Sequence, residues 1–223
     1  MPVFDEPVVL PRLAFLTAWR LLDLGEPPAA LGTARHHWVR EDTAAELEKR
    51  TMRTLTALGL ARNNRLNDLW RTSLRTLAHA DHEFYSWTTH RDGGHGAVLV
   101  AARGEDAIRL VADDVAVLVE PVRPVRLATS LLDGLPELDG ADVPDRVQPA
   151  SAAPLGEPRE AVHQLYTARR DRGVRIRSNP ATALDLGRGR VLTYPAGEDA
   201  VVVAPGTPRL IVALLNETHA GLI

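Results

Sequence analysis

Two distant stretches of this chain leave an apolar strand-like run in the same way, and that repetition constrains the fold more than any single motif. Pro121, Pro124, Arg126, Leu127, Leu131 and Leu132 follow one run; Pro205, Pro208, Arg209, Leu210, Leu214 and Leu215 follow another. The spacing of the two prolines matches, the Arg-Leu step is offset by one residue, and the spacing from Leu to Leu-Leu is again the same. In each copy proline starts a helix where its missing N–H costs nothing. The Arg-Leu-x-x-x-Leu-Leu segment then supplies a short apolar stripe. The expected fold is α+β: a central antiparallel β-sheet flanked by helical bundles, with two similar halves related by a pseudo-two-fold axis. One domain over residues 1–223 would divide into a first half 1–135, a loop 136–156 and a second half 157–223.

The elements follow from periodicity. Leu13, Leu16, Trp19, Leu22 and Leu24 have helical spacing after Pro11, and Gly25, Pro27 and Pro28 end that helix. Thr43 to Leu58 reads as a second helix, with Thr43 and Glu46 as a capping box and Gly59 as the residue just past its end. Leu66 to His79 reads as a third, with Leu66, Leu69, Trp70, Leu74 and Leu77 inward. The period then changes to two. Glu83 to Arg91 places Phe84, Ser86, Thr88 and His90 on one side and Tyr85, Trp87 and Thr89 on the other. Asp92-Gly93-Gly94 turns it into a hairpin, and His95–Arg103, Ala107–Ala112 and Val115–Pro121 complete a four-stranded antiparallel meander. Residues 136–156, rich in Pro, Ala, Asp and Gly, read as a surface loop. Glu157 to Arg172 reads as a helix with Ala161, Val162, Leu165, Tyr166 and Arg169 on one side. Strands at Val174–Arg177, Ala183–Gly187, Arg190–Tyr194 and Ala200–Ala204 and a helix at Pro208–Asn216 end the chain.

Composition removes several classes of function. Among 223 residues there is no cysteine, so disulfides, thiolate nucleophiles and cysteine zinc sites are all excluded. No run of 18 apolar residues occurs, and acids occupy the N-terminal region where a secretory signal needs Lys or Arg. A cytoplasmic protein is the expectation. With a net charge of −3 no bulk field draws the chain onto polyanions, although all its basic residues except Lys49 are arginine.

The usual catalytic arrangements do not occur. His79 and His82, and His36 and His37, lack the carboxylates and spacing of a metal site, and Gly93-Gly94-His95-Gly96 links strands instead of opening a phosphate-binding helix. None of the serines sits in G-x-S-x-G. Neither a catalytic residue nor a cofactor is expected. Arg169, Arg170, Arg172, Arg175 and Arg177 form a cluster that suits a solvated helix end, a protein interface or a nucleic-acid patch. The helical hairpin 43–79 followed by a strand hairpin imitates a winged helix, with Arg65, Arg71 and Arg75 toward phosphates and Asn67 toward a base. A nucleic-acid-binding regulator is therefore the alternative reading.

A family resemblance favours the protein-interface reading. Trp19, Leu22, Leu24, Gly25, Glu26 and Pro28 spell W-x-x-L-x-L-G-E-x-P, and Leu55, Leu58, Gly59 and Leu60 spell L-x-x-L-G-L. With the helix that follows, the meander and the Pro-x-Leu helix at Pro208 and Leu210, the chain resembles the EspG family of type VII (ESX) secretion-associated proteins over nearly its whole length. The resemblance implies a cytosolic actinobacterial chaperone for helical secretion substrates of the PE/PPE type, with no cofactor, no membrane and no nucleic acid; a homodimer also fits. A cargo of that kind exposes an apolar tip and calls for a sheet face with apolar anchors and a polar rim. The alternation places Tyr85 and Trp87 on one face as anchors, Tyr194 on the related strand of the other half, and Arg103, Arg109, Arg169 and Arg190 as rim contacts.

Overall fold

An antiparallel sheet needs cover only where a face is apolar, and here helices cover different parts of each face. The structure is a computed structural model that describes residues 6–31, 41–152 and 157–222. Its strands are β1 (Val8–Pro11), β2 (Ala61–Arg62), β3 (Arg65–Leu66), β4 (His82–His90), β5 (His95–Arg103), β6 (Asp106–Ala112), β7 (Ala116–Pro121), β8 (Arg146–Pro149), β9 (Arg159–Asp171), β10 (Val174–Arg177), β11 (Ala181–Leu186), β12 (Gly189–Pro195) and β13 (Ala200–Pro205). The helices are α1 (Arg12–Leu21), α2 (Glu41–Ala57), α3 (Asp68–Ala78), α4 (Leu127–Leu132) and α5 (Pro208–Ala220). Antiparallel pairing runs β1-β7-β6-β5-β4-β9-β11-β12-β13-β8, with β10 folded onto β9 and β2-β3 forming a separate hairpin. The meander β4 to β7 is as expected, and so are the hairpin turn at Gly93 and the Gly59 stop. Gly59 has φ +72°, a left-handed conformation that glycine adopts without penalty.

Each face has its own core. On one face, α1, α2 and α3 bury Phe15, Trp19, Leu55, Trp70 and Leu74 against Tyr85, Leu99, Ile108 and Val117. On the other, α4 and α5 bury Leu131, Ile211 and Leu215 against Phe84, Val98, Leu165 and Leu192. Phe84 and Tyr85, adjacent in sequence, belong to different cores, as the period of two requires. A smaller cluster joins Ala141 and Val143 to Leu184, Leu186, Val191 and Val203.

Several expectations are corrected. Glu157 to Arg172 is not a helix: residues 159–171 form β9, which pairs with β4 along its length. Helix-favouring residues give way there to a position between two strands, and both faces are covered from Leu165 to Ala168, which erases the alternation. The second half therefore does not open with a helix as the first half does. The 136–156 segment is more than a surface loop, because residues 146–149 form the edge strand β8 on β13 and Ala141 is 1% exposed. Thr43 lies inside α2 instead of capping it. Leu69, expected inward, is 43% exposed, since the buried stripe of α3 runs through Trp70, Ser73, Leu74 and Leu77. β1, read from no signal in the sequence, closes the β7 edge.

Candidate functional site

The centre of the sheet is the β4–β9 seam, where Tyr85 lies opposite Tyr166. Their rings stack at 5.1 Å with a 10° interplanar angle, and Trp87 meets both edge-on, 5.6 Å from Tyr85 and 5.1 Å from Tyr166. Gly173, at φ +83°, lets the chain reverse so that β10 returns along β9 and lays two arginines over these rings. The Arg175 guanidinium sits 5.3 Å from the Tyr85 centroid, and that of Arg177 5.2 Å from the Tyr166 centroid. Arg175 also grips Glu83 with a fork, Nε donating at 3.0 Å and Nη2 at 2.7 Å. Those hydrogen bonds hold its proton more tightly than usual. Burial pushes the Tyr166 hydroxyl upward, against the opposing charge of Arg177.

Beside this seam the same face loses its helical cover. Trp87 pairs across to Gln164, Gln164 to Thr182, and Thr182 to Thr193, giving a row of exposed and half-exposed side chains over β4, β9, β11 and β12. Ala141 and Val143 cover only the end of the sheet beyond it.

The residues expected to bind a partner fall on opposite faces. Tyr85, Trp87 and Arg103 share the aromatic face; Tyr85 is 1% exposed, roofed by Arg175, while Trp87 is half-buried and Arg103 exposed. Tyr194 packs into the α4/α5 core on the other face and does not meet the aromatic cluster. Arg109 is engaged internally: Nε donates to Glu120 at 2.8 Å and Nη1 to the Ser130 carbonyl at 2.9 Å, anchoring α4. Arg169 is exposed opposite His82. Arg190, expected at the rim, is corrected to a buried strut at 2% exposure.

That strut belongs to a network that reading 157–172 as a helix had concealed. Thr88 Oγ1 lies 2.8 Å from His163 Nδ1, His163 Nε2 lies 2.9 Å from Asp185, and Asp185 accepts from Arg190 at 2.6 and 2.9 Å. Arg190 also donates to the Pro136 carbonyl at 3.0 Å. Hydroxyl, imidazole and carboxylate stand in the order of an acyl-transfer relay. However, His163 is fully sealed and the neighbouring strand N–H groups are paired in ladders, so no donors aim at a developing oxyanion. The network ties four strands together. A period-two reading of 159–171, placing His163, Leu165 and Thr167 on one side, is the signal that would have found it.

On the same face His219 of α5 stacks on Phe84 at 4.8 Å and meets His82 at 5.1 Å, with Nε2 of His219 and Nδ1 of His82 both buried without partners. Burial first, then the His82 and Arg169 charges, lowers the His219 pKa from its usual 6.5. A base with a depressed native pKa binds protons more readily when unfolded, so stability should fall as pH drops through 6.5 and below. His219→Leu should flatten that slope in urea titrations between about pH 7.5 and 5; an unchanged slope would rule His219 out as its source.

The structure thus presents a broad antiparallel sheet with one partly bare face, and among the described residues no group of three that could hold a metal. The chain belongs to the EspG family, whose model matches residues 11–154 and 137–217. Its fold is that of the Mycobacterium tuberculosis type VII secretion system chaperone EspG5, solved in complex with the PE25-PPE41 dimer: TM-score 0.74 over 98% of this chain and 97% of that one, at 16% identity. No curated protein matches.

Proposed function

We propose that this protein is a non-enzymatic cytoplasmic chaperone that binds helical type VII secretion substrates, PE/PPE-like pairs, and keeps them soluble for export. Membership of the EspG family carries the reading. The bare row beside the aromatic seam supports it, since a helical tip needs a broad, partly apolar floor with polar groups around it. Trp87 is the anchor on this face with Tyr85 packed edge-on against it, while Arg103 sits beside α3 at the other end of β5. The strand order also supports the two-halved scaffold: β4 and β9 form the seam, β5 and β11 flank it, β6 and β12 follow, and α4 and α5 each close a half. The nucleic-acid alternative gains no support from the fold. Asn67 caps α3 by accepting from the Trp70 N–H at 2.7 Å, and Arg71 pairs with Asp68 at 3.3 Å.

The test is co-expression with PE/PPE-like pairs, followed by affinity purification and size-exclusion chromatography. Such a pair should co-migrate with the tagged protein, and Trp87→Asp should cut recovery at least about tenfold, the scale of one buried aromatic anchor. Failure of the wild-type protein to retain any such pair would remove the proposal.

A further inference from the structure

Arg175 and Arg177 lie two residues apart on one strand and point to the same face, each guanidinium resting on a tyrosine of the β4–β9 seam. Their electrostatic situations differ. Arg175 holds the Glu83 carboxylate in a fork at 2.7–3.2 Å. Arg177 is exposed, and no carboxylate among the described residues lies within 4 Å of it. The first pair shows inside the molecule how an arginine stacked in this way takes a carboxylate: the ring fixes the guanidinium plane while its edge N–H groups remain free to donate. Stacking also removes most of the side-chain freedom that a surface arginine loses on forming an ion pair, so an incoming acid meets a prearranged fork.

We infer that Arg177 is a carboxylate-receiving residue of the docking face, and that the polypeptide seated there presents an Asp or Glu to it. This rests on the chaperone reading for the identity of the polypeptide, but not for the chemistry of the fork. The surroundings agree in sign. Arg170, Arg172 and Arg175 lie on the same hairpin, with Asp171 in sequence, Glu83 across the seam and Asp81 beside Arg170 as the acids, while Arg169 faces the other side of the sheet. An acidic segment approaching this end of the sheet is attracted before contact and held by a bidentate pair after it. Trp87, edge-on to Tyr166, lies alongside to receive the apolar part of the same segment.

The experiment uses the full chain and two probes, the PE25-PPE41 dimer and a fluorescein-labelled acidic helical peptide, with affinity read by anisotropy from about 50 to about 500 mM salt. Variants are Arg177→Glu, Arg177→Lys and, as a control on a distant exposed site, Arg209→Glu. Wild-type affinity for the dimer should fall with salt. Arg177→Glu should weaken it about 10- to 100-fold and flatten the salt dependence, the range expected for losing a charge-assisted fork. Arg177→Lys should fall between, and Arg209→Glu should match wild type; circular dichroism confirms that each variant is folded. If wild type binds the dimer and Arg177→Glu binds it equally well, the carboxylate role is overturned while the chaperone reading stands. If the dimer is not bound but the acidic peptide is, in an Arg177-dependent manner, the fork is upheld and PE25-PPE41 is excluded as cargo of this chain. Binding of neither probe, or preference for a single-stranded oligonucleotide over the peptide at 150 mM salt, would overturn the inference.

Discussion

Asp185→Ala should destabilise the protein by about 3–5 kcal/mol, the scale measured when one member of a buried ion pair is removed. Asp185 and Arg190 are 5% and 2% exposed, and the carboxylate accepts two guanidinium N–H groups while meeting His163 Nε2 at 2.9 Å. Alanine leaves the Arg190 charge inside the sheet with only the Pro136 carbonyl, and His163 loses the acceptor that orients it. Gly206 packs tightly on Arg190: an added Cβ would lie 2.5 Å from its Cγ and 2.9 Å from its carbonyl group. The measurement is the urea midpoint at pH 7; a loss below about 1 kcal/mol would mean that water reaches the guanidinium. Replacing both partners together, Asp185→Ala with Arg190→Met, should recover much of the loss, because the destabilising element is the orphaned charge and not the absent pair.

The same network sets an acid limit. Burial raises the Asp185 pKa, but the hydrogen bonds from Arg190 and His163 outweigh it and leave the group at about 2, below its usual 3.8. A carboxylate with a depressed native pKa stabilises the fold above its unfolded value and loses that contribution as pH falls from about 4 to about 2. The shift corresponds to about 2 kcal/mol.

What the sequence disclosed depended on whether an element is covered on one side or on both. The β4 alternation was readable because Phe84 and Tyr85 enter cores of different composition, with small polar Ser86 and Thr88 between apolar residues. The helices were readable because each buries one stripe and exposes another: Trp70, Leu74 and Leu77 face in while Arg71 and Arg75 face out. β9 was unreadable for the opposite reason. Ala161, His163, Leu165 and Thr167 face one core while Val162, Tyr166 and Ala168 face the other side, so apolar residues fall at helical and strand spacings alike. That single misreading hid the Thr88–His163–Asp185–Arg190 network, whose members come from separate strands and meet only once β9 is placed. It also hid the seam, since the stacking of Tyr85 on Tyr166 requires the cross-strand register. Charge alone does not say which of Arg103, Arg109, Arg169 and Arg190 stands at a rim. Whether an arginine faces solvent or a buried carboxylate is decided by which strand lies next to it, and a single sequence does not state that.

Trp70→Ala should cost about 3–5 kcal/mol, the range for deleting a fully buried large aromatic side chain. Trp70 is 0% exposed at the first turn of α3 and meets Phe15 edge-on at 6.1 Å, while Phe15 stacks on Trp19 at 5.9 Å. These three rings join α1 and α3, and the core they belong to continues without a break from Leu10 to Ala168, reaching Tyr85 and Tyr166 under the docking face. That continuity has a consequence beyond the size of the loss. If the helices were an appendage on a self-sufficient sheet, removing Trp70 would melt α1 to α3 first, and helical circular dichroism would fall before the sheet signal. A shared core predicts instead one cooperative transition at a lower urea concentration, with coincident far-ultraviolet and fluorescence curves. Pairing Trp70→Ala with Phe15→Leu should yield a coupling of about 0.5–1.5 kcal/mol, the range for an aromatic contact. Two separated transitions in the variant would show that the aromatic seam is held by the strands alone, and the floor on which Trp87 and Arg177 stand would then be independent of the helical layer.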